Sequence, residues 1–318
     1  MEKIFKLLKV SYLTMEKKVL GWTEEKISPL ILGSWQFGTP SIIGKSDAIN
    51  VIRKAVELGI NAIDTAESYG NGTSESVIGE AIKAFKREDV FIITKVSIDH
   101  LRYEDVLRAA EASLKRLDTT YIDLYLVHWP NHYVPIRETA KAMERLINEG
   151  KIRYVGLSNF SLPLLREFRE HLSKTDVAAN ELHYNLLFRD IEKEVLPYMI
   201  RENIPTLAYD SLGLGYLIGR KEIKDEYRWY VLAREAYVKS IEPLVEEINS
   251  IAKQLNKSPA QVVLNWLIMK DNVFAIFNST KQEHIKDNLG SIGWKLGEEA
   301  LRKLDEAVKK VTIDYFIK

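Results

Sequence analysis

The chain has 318 residues, 46% apolar and 28% charged, with Lys plus Arg and Asp plus Glu both at 45. That length permits one large barrel or two smaller domains with a substantial core, and the balanced charge argues against nucleic acid as the main partner. There is no cysteine, and the six histidines are far apart, so disulfides, a thiolate nucleophile and a metal-ligand cluster find no support.

Residues 1–14 carry Lys3, Lys6 and Lys9 between apolar pairs. They read as an N-terminal extension outside the domain, the alternative being a short basic amphipathic helix for a membrane surface or a partner. Met15 opens a segment that reads as a natural start. The apolar stretch before it is too broken for a secretory signal core, and no apolar run in the chain approaches the ~20 residues needed to cross a bilayer. The expectation is a cytoplasmic protein with no membrane partner. Residues 15–28 read as a short hairpin with a turn near Gly21.

From there apolar strand-like runs alternate with helix-patterned segments. Strands are expected at 29–33, 60–64, 90–95, 122–128, 152–157, 176–181, 204–209 and 273–277. Helices are expected between them at Ser46–Leu58, Ser74–Phe85, Tyr103–Leu117, Ile136–Asn148, Pro163–His171 and Asp190–Met199, with Ser240–Leu255, Pro259–Met269 and Glu298–Val308 in the C-terminal part. Ser258 before Pro259 is a helix start, and Gly150 after Glu149 a helix stop. Asp64, Lys95, His128 and Ser158 recur at intervals of 31, 33 and 30 residues, the length of a strand, a helix and two loops. Eight such units without a dividing linker predict one (β/α)8 TIM barrel over 15–318, with an N-terminal β-hairpin and extra C-terminal helices. An open doubly wound sheet would want three spaced glycines after its first strand, and Gly33-Ser34-Trp35-Gln36-Phe37-Gly38 lacks them. The long segment 210–239, after the seventh strand, reads as a loop able to cover one end of the barrel.

Active sites of such barrels lie at the C-terminal ends of the strands. Asp64, Lys95 and His128 close successive strands, and Tyr69 follows on the loop after Asp64. Each alone reads as a turn cap, a packing residue, a solvated strand end or a core histidine. Together they supply an acid, a phenol, an amine and an imidazole to one arc. A lysine ammonium beside the phenol favours phenolate, so a proton donor tuned toward neutral pH is expected, with Asp64 holding the lysine and His128 donating to a substrate oxygen.

The segments Gly59-Ile60-Asn61-Ala62-Ile63-Asp64-Thr65-Ala66-Glu67-Ser68-Tyr69-Gly70, Ile92-Ile93-Thr94-Lys95 and Leu126-Val127-His128-Trp129-Pro130 resemble signatures of the aldo-keto reductases, and the resemblance runs from about Met15 to about Val308. It implies NAD(P)H-dependent reduction of aldehydes or ketones to alcohols, reversibly. Tyr69 would be the general acid, Lys95 and Asp64 would tune and position it, and His128 would orient the carbonyl.

The same resemblance implies a cofactor site on the other arc. Ser34 and Trp35 would approach it from the first strand. Ser158 and Asn159 would bond the carboxamide. Tyr209 would stack on the nicotinamide, and the backbone at Ser211, Leu212 and Gly213 would approach the pyrophosphate. Glu181 stands where these proteins often carry Gln, and an ionised Glu cannot donate. Asp210-Ser211 replaces the usual Ser-Pro. Ser279 and Lys281 would meet a 2′-phosphate at a helix N-terminus, and Asp287 and Asn288 the adenine. His284 replaces a common Arg, and an imidazole gives neither a fixed charge nor a bidentate fork. NADP(H) is expected to be preferred, with NAD(H) possible.

Trp35, Phe37 and Trp129 would wall the substrate carbonyl, with Phe160 and the aromatics Tyr227, Trp229, Tyr230, Tyr315 and Phe316 as further candidates. Two other readings fit the barrel. One is a cofactor-sensing regulatory or binding subunit. The other is an isomerase using Lys95 as a Schiff base. Substrate, direction and oligomeric state are not legible in the chain.

Overall fold

The computed structural model describes residues 15–220 and 234–311, side chains at 234–237 excepted. Residues 1–14, the aromatics Tyr227, Trp229 and Tyr230, and the tail with Tyr315 and Phe316 lie outside the described residues.

The chain opens with an antiparallel hairpin of β1 (Lys18–Val19) and β2 (Lys26–Ile27). Eight parallel strands then close into a barrel: β3 (Leu30–Gly33), β4 (Ala62–Asp64), β5 (Phe91–Val96), β6 (Ile122–Val127), β7 (Ile152–Ser158), β8 (Val177–His183), β9 (Thr206–Tyr209) and β10 (Val273–Asn278), the last pairing with both β9 and β3. Around them lie α1 (Lys45–Glu57), α2 (Thr73–Ile82), α3 (Tyr103–Leu117), α4 (Ile136–Asn148), α5 (Leu162–Glu170), α6 (Val195–Arg201), α7 (Arg234–Leu255), α8 (Pro259–Ile268), α9 (Gln282–Leu289) and α10 (Glu298–Lys309). No helix among the described residues is long and apolar enough to cross a membrane.

The strands read as nearly unbroken apolar runs because both faces are covered. One face meets the helices in a large core layer. The other fills the barrel interior with Ile31, Phe91, Ile93, Leu124, Leu207 and Phe274. Leu20 and Ile27 of the hairpin join this inner layer and plug the N-terminal end of the barrel, which leaves the opposite end for chemistry.

Helix boundaries fall where local chemistry puts them. Ser258 and Gln261 form a reciprocal capping box at the start of α8. The expected helix Asp190–Met199 is instead a single turn at Asp190–Glu192 followed by α6. Pro197 accounts for the break: it has no N–H to donate, and it falls in the first turn of α6, where that donor is not needed. Within segment 210–239, Gly213–Ile218 forms tight turns kinked at Leu214 and Gly215, and α7 begins at Arg234.

Candidate active site at the C-terminal end of the barrel

Parallel pairing of β4 with β5 and of β5 with β6 brings Asp64, Lys95 and His128 side by side. Lys95 is fully buried. Its Nζ donates to Asp64 Oδ2 at 2.6 Å and to the Thr65 carbonyl at 2.9 Å. From β8, across the barrel, Glu181 Oε2 comes within 3.3 Å of the same nitrogen.

Tyr69 closes over this group. Its ring meets His128 edge to face at 5.7 Å between centroids, and Lys95 Nζ lies 5.2 Å from its centroid. The turn that carries it is pinned by its own backbone: Tyr69 N–H donates to Ala66 O, and Tyr69 O accepts from Ser74 N–H at the start of α2. Gly70 follows with φ +59°, and a Cβ there would meet Gly38 O at 2.1 Å. A glycine is required on both grounds. The loop after β3 thus presses directly on the Tyr69 turn.

The electrostatics differ from expectation at the phenol. Burial pushes Tyr69 up, and nearby Asp64 and Glu181 add to it, so the net shift is upward although Lys95 pulls down. The lysine offsets desolvation without reversing it, and Tyr69 is a firmly protonated donor rather than one poised near neutrality. Burial pulls Lys95 down, but the carboxyl groups around it, Asp64 foremost, outweigh it and hold the ammonium above the ordinary lysine value. Burial, with Lys95 adding to it, lowers His128 to about 3, so the imidazole is neutral. Its Nδ1 lies 3.3 Å from Ser68 Oγ. If that hydroxyl donates, the ring proton is on Nε2.

The second arc is built from β7, β8 and β9. Ser158 is fully buried. Asn159, at φ +63°, donates from Nδ2 to His128 O and Ser158 Oγ and accepts from Tyr209 Oη at 2.9 Å. It ties the two arcs together. Tyr209 stacks on His183 at 5.2 Å and 9°, and Phe188 stacks on His183 in turn at 4.1 Å. Asp210 anchors that histidine through Oδ2 at 2.9 Å and caps the Leu214 N–H through Oδ1. Ser211 is buried and donates to Ile276 O, Gly213 follows at φ +56°, and Leu212 lies between them.

Beyond β10, Ser279 closes a turn with Lys281, the N-cap of α9, and Lys281 and His284 are exposed at its start. Asn288 is buried. Asp287 is differently committed: its two oxygens accept from Ser258 Oγ and Gln261 Nε2, which locks α9 to the start of α8. Trp35 and Trp129 stand partly exposed at the rim, whereas Phe37 and Phe160 turn into the core. Ser34 is fully buried, with Ser74 donating to its hydroxyl.

Three supporting residues were not singled out in the sequence. Ser68 touches His128, His183 backs Tyr209, and Glu67 accepts from Ser97 N–H and contacts His100 beneath the site. Ser68 adjoins the tyrosine motif, which was a usable signal. Glu67 lies in the same motif and shared that signal, whereas His183 carried none.

A model of the Aldo/keto reductase family matches residues 29–309. The methylglyoxal reductase YeaE of Escherichia coli is 33% identical, with 92% of this chain and 95% of that protein covered. The crystal structure of a thermostable aldo-keto reductase, Tm1743, bound to the inhibitor epalrestat is 37% identical, with a TM-score of 0.79 and coverage of 92% and 99%. That of an aldo/keto reductase from Klebsiella pneumoniae in complex with NADP and acetate is 30% identical, with a TM-score of 0.75 and coverage of 92% and 95%.

Proposed function

The chain belongs to the aldo/keto reductase family, and from that premise we propose that it reduces aldehydes or ketones to alcohols with NADPH, Tyr69 supplying the proton. The observation that carries the reading is a fully buried Lys95 bonded to Asp64 at 2.6 Å beneath the paired rings of Tyr69 and His128. Burying a lysine with an aspartate is expensive as a stabilising device. It is worthwhile where a charge must be held for chemistry.

The residues present fit the cofactor. Glu181 Oε2 is a buried oxygen without a hydrogen-bond partner, suited to accept from the carboxamide N–H. Tyr209, braced by His183, is the ring on which a nicotinamide would stack. The N-terminus of α9 with Lys281 suits the 2′-phosphate of NADP. When bound, the cofactor supplies hydride to the carbonyl carbon.

The chain's own residues do the rest. His128, neutral and donating, orients the carbonyl oxygen. Tyr69 Oη gives that oxygen its proton, and Lys95 stabilises the phenolate left behind, with Asp64 holding the ammonium in place. Ser158, Asn159, Ser211, Leu212, Gly213, Ser279 and Asn288 would line the cofactor path, and Trp35 and Trp129 the substrate mouth. Asp287 serves the α8–α9 corner. A chain without cysteine that draws on NADPH suits the cytoplasm.

Stopped-flow mixing of the NADPH-loaded protein with a reactive aldehyde measures the reaction directly, and methylglyoxal, named for one relative, is the first to assay. Loss of reduced-nicotinamide absorbance in a single turnover is expected. A protein that binds NADPH and transfers no hydride to any of a panel of aldehydes and ketones is not a reductase.

A further inference from the structure

The outline above gives Glu181 no proton to move, yet its place among charged groups is specific. Strand β8 sets it opposite Ser158 of β7 and Leu207 of β9, neither of which titrates. The ionisable groups facing it are Asp64 from β4, Lys95 from β5 and Tyr69 from the following loop. Lys95 Nζ spends hydrogen bonds on Asp64 and the Thr65 carbonyl, and Glu181 Oε2, at 3.3 Å, is left unpartnered. Two carboxyl groups therefore share one ammonium, and all three side chains are almost completely buried.

Two ionised carboxylates would leave this cluster with a buried net negative charge, and groups so placed take up a proton instead. Burial raises Asp64 as well, but the short bond from Lys95 offsets part of that rise and favours the carboxylate on Asp64 over one on Glu181. The proton falls to Glu181, whose Oε2 faces Lys95. Burial and the adjoining Asp64 charge push the Glu181 carboxyl well above the usual carboxylate range, with Lys95 offsetting part of the rise.

We propose that Glu181 carries a proton in the resting protein and is the store from which Tyr69 is re-protonated through Lys95. The direction of transfer rests on the reductase reading; the holding of the proton does not. As the carbonyl carbon takes up hydride, the Tyr69 Oη–H bond breaks and the carbonyl oxygen gains the proton. A Lys95 N–H bond then breaks as Oη–H re-forms, and the Glu181 O–H bond breaks as that N–H is restored. Tyr69 ends as phenol, Lys95 as ammonium and Glu181 as carboxylate, and no electrons move beyond the hydride pair. Solvent returns a proton to Glu181 before the next cycle. A glutamine at this position could donate a hydrogen bond but release no proton at neutral pH. Glu181 acts through Lys95, so it is a positioning residue with a proton to spare, not a group that touches the reacting atoms.

Two measurements decide this. The first is infrared spectroscopy of the cofactor-free protein. A protonated-carboxyl C=O band is expected at neutral pH; it should move when glutamate is isotopically labelled and vanish in Glu181→Gln. The variant keeps the Asp64–Lys95 pair and is expected to fold. The second is the pH profile of turnover. The wild type should lose reduction on an alkaline limb as Glu181 ionises. Glu181→Gln should lack that limb and run about tenfold slower below it, a smaller loss than that of a direct general acid. Absence of the band at neutral pH overturns the proposal. So does a band that survives Glu181→Gln, or an alkaline limb unchanged in that variant. The infrared result needs no turnover, so a protein that shows the band and reduces no carbonyl counts against the reductase reading alone.

Discussion

The two ends of the barrel treat their enclosed lysines, one fully and two partly buried, in opposite ways. At the C-terminal end Lys95 has two carboxyl partners and is held charged. At the hairpin end, Lys18 bonds only the carbonyls of Ile268, Lys270 and Val273. Lys270 bonds Trp266 O and lies 3.5 Å from the centroid of a Trp266 ring. Burial lowers Lys18 to about 8 and Lys270 to about 7. Carbonyls and rings satisfy N–H groups without matching a full charge. Burial alone therefore does not mark a reactive lysine in this fold; burial with surplus carboxylate does.

The largest expected effect comes from removing the charge at the active end. Lys95→Met should slow single-turnover reduction by about a thousandfold or more, with NADPH binding retained. Lys270→Met removes a partly buried lysine at the other end and should leave turnover unchanged. Comparable losses in both variants would erase the contrast between the ends.

Stability at the active end should follow the proton on Glu181. The folded protein keeps a proton that the unfolded chain releases above the ordinary carboxyl value of 4.5. Stability should therefore fall as pH rises above 4.5 toward the folded value, by at most about 1.4 kcal/mol per pH unit. Glu181→Gln should remove that fall and gain on the wild type as pH rises, as read by urea denaturation across pH.

The hairpin end should slope the other way. Between about 7 and 10.5 the unfolded chain holds a proton that folded Lys270 has released, so stability should rise with pH through that window. Lys270→Met should flatten the rise and be neutral or stabilising by about 1 kcal/mol at pH 7. A smaller effect belongs to His128. Its folded value of about 3 lies below the ordinary imidazole value of 6.5, so stability should be lost as pH falls through that range, and His128 should add no limb to the rate profile above it.

Most of the scaffold was legible because a parallel barrel buries both faces of its strands and punctuates them with helices at regular spacing. All eight expected strands pair in the closed barrel. The misreading at Asp190–Met199 came from weighing apolar periodicity over a single proline. The adjacency of Asp64, Lys95 and His128 was legible because neighbouring strands carry them. The arrival of Glu181 from across the barrel was not, since spacing along the chain says nothing of which side chains cross a barrel mouth. The upward shift of Tyr69 was missed for a related reason: how deeply a loop residue is buried depends on what closes over it, here the Gly38–Gly70 contact.

The most direct measurement compares wild type with Tyr69→Phe, each loaded with NADPH and mixed with a reactive aldehyde. Cofactor binding, followed by fluorescence, should be the same in both, since Asn159, Tyr209 and the α9 N-terminus are untouched. Wild type should consume one equivalent of reduced nicotinamide, and Tyr69→Phe should consume essentially none. Turnover of the variant at the wild-type rate would contradict the assignment of Tyr69 as the proton donor.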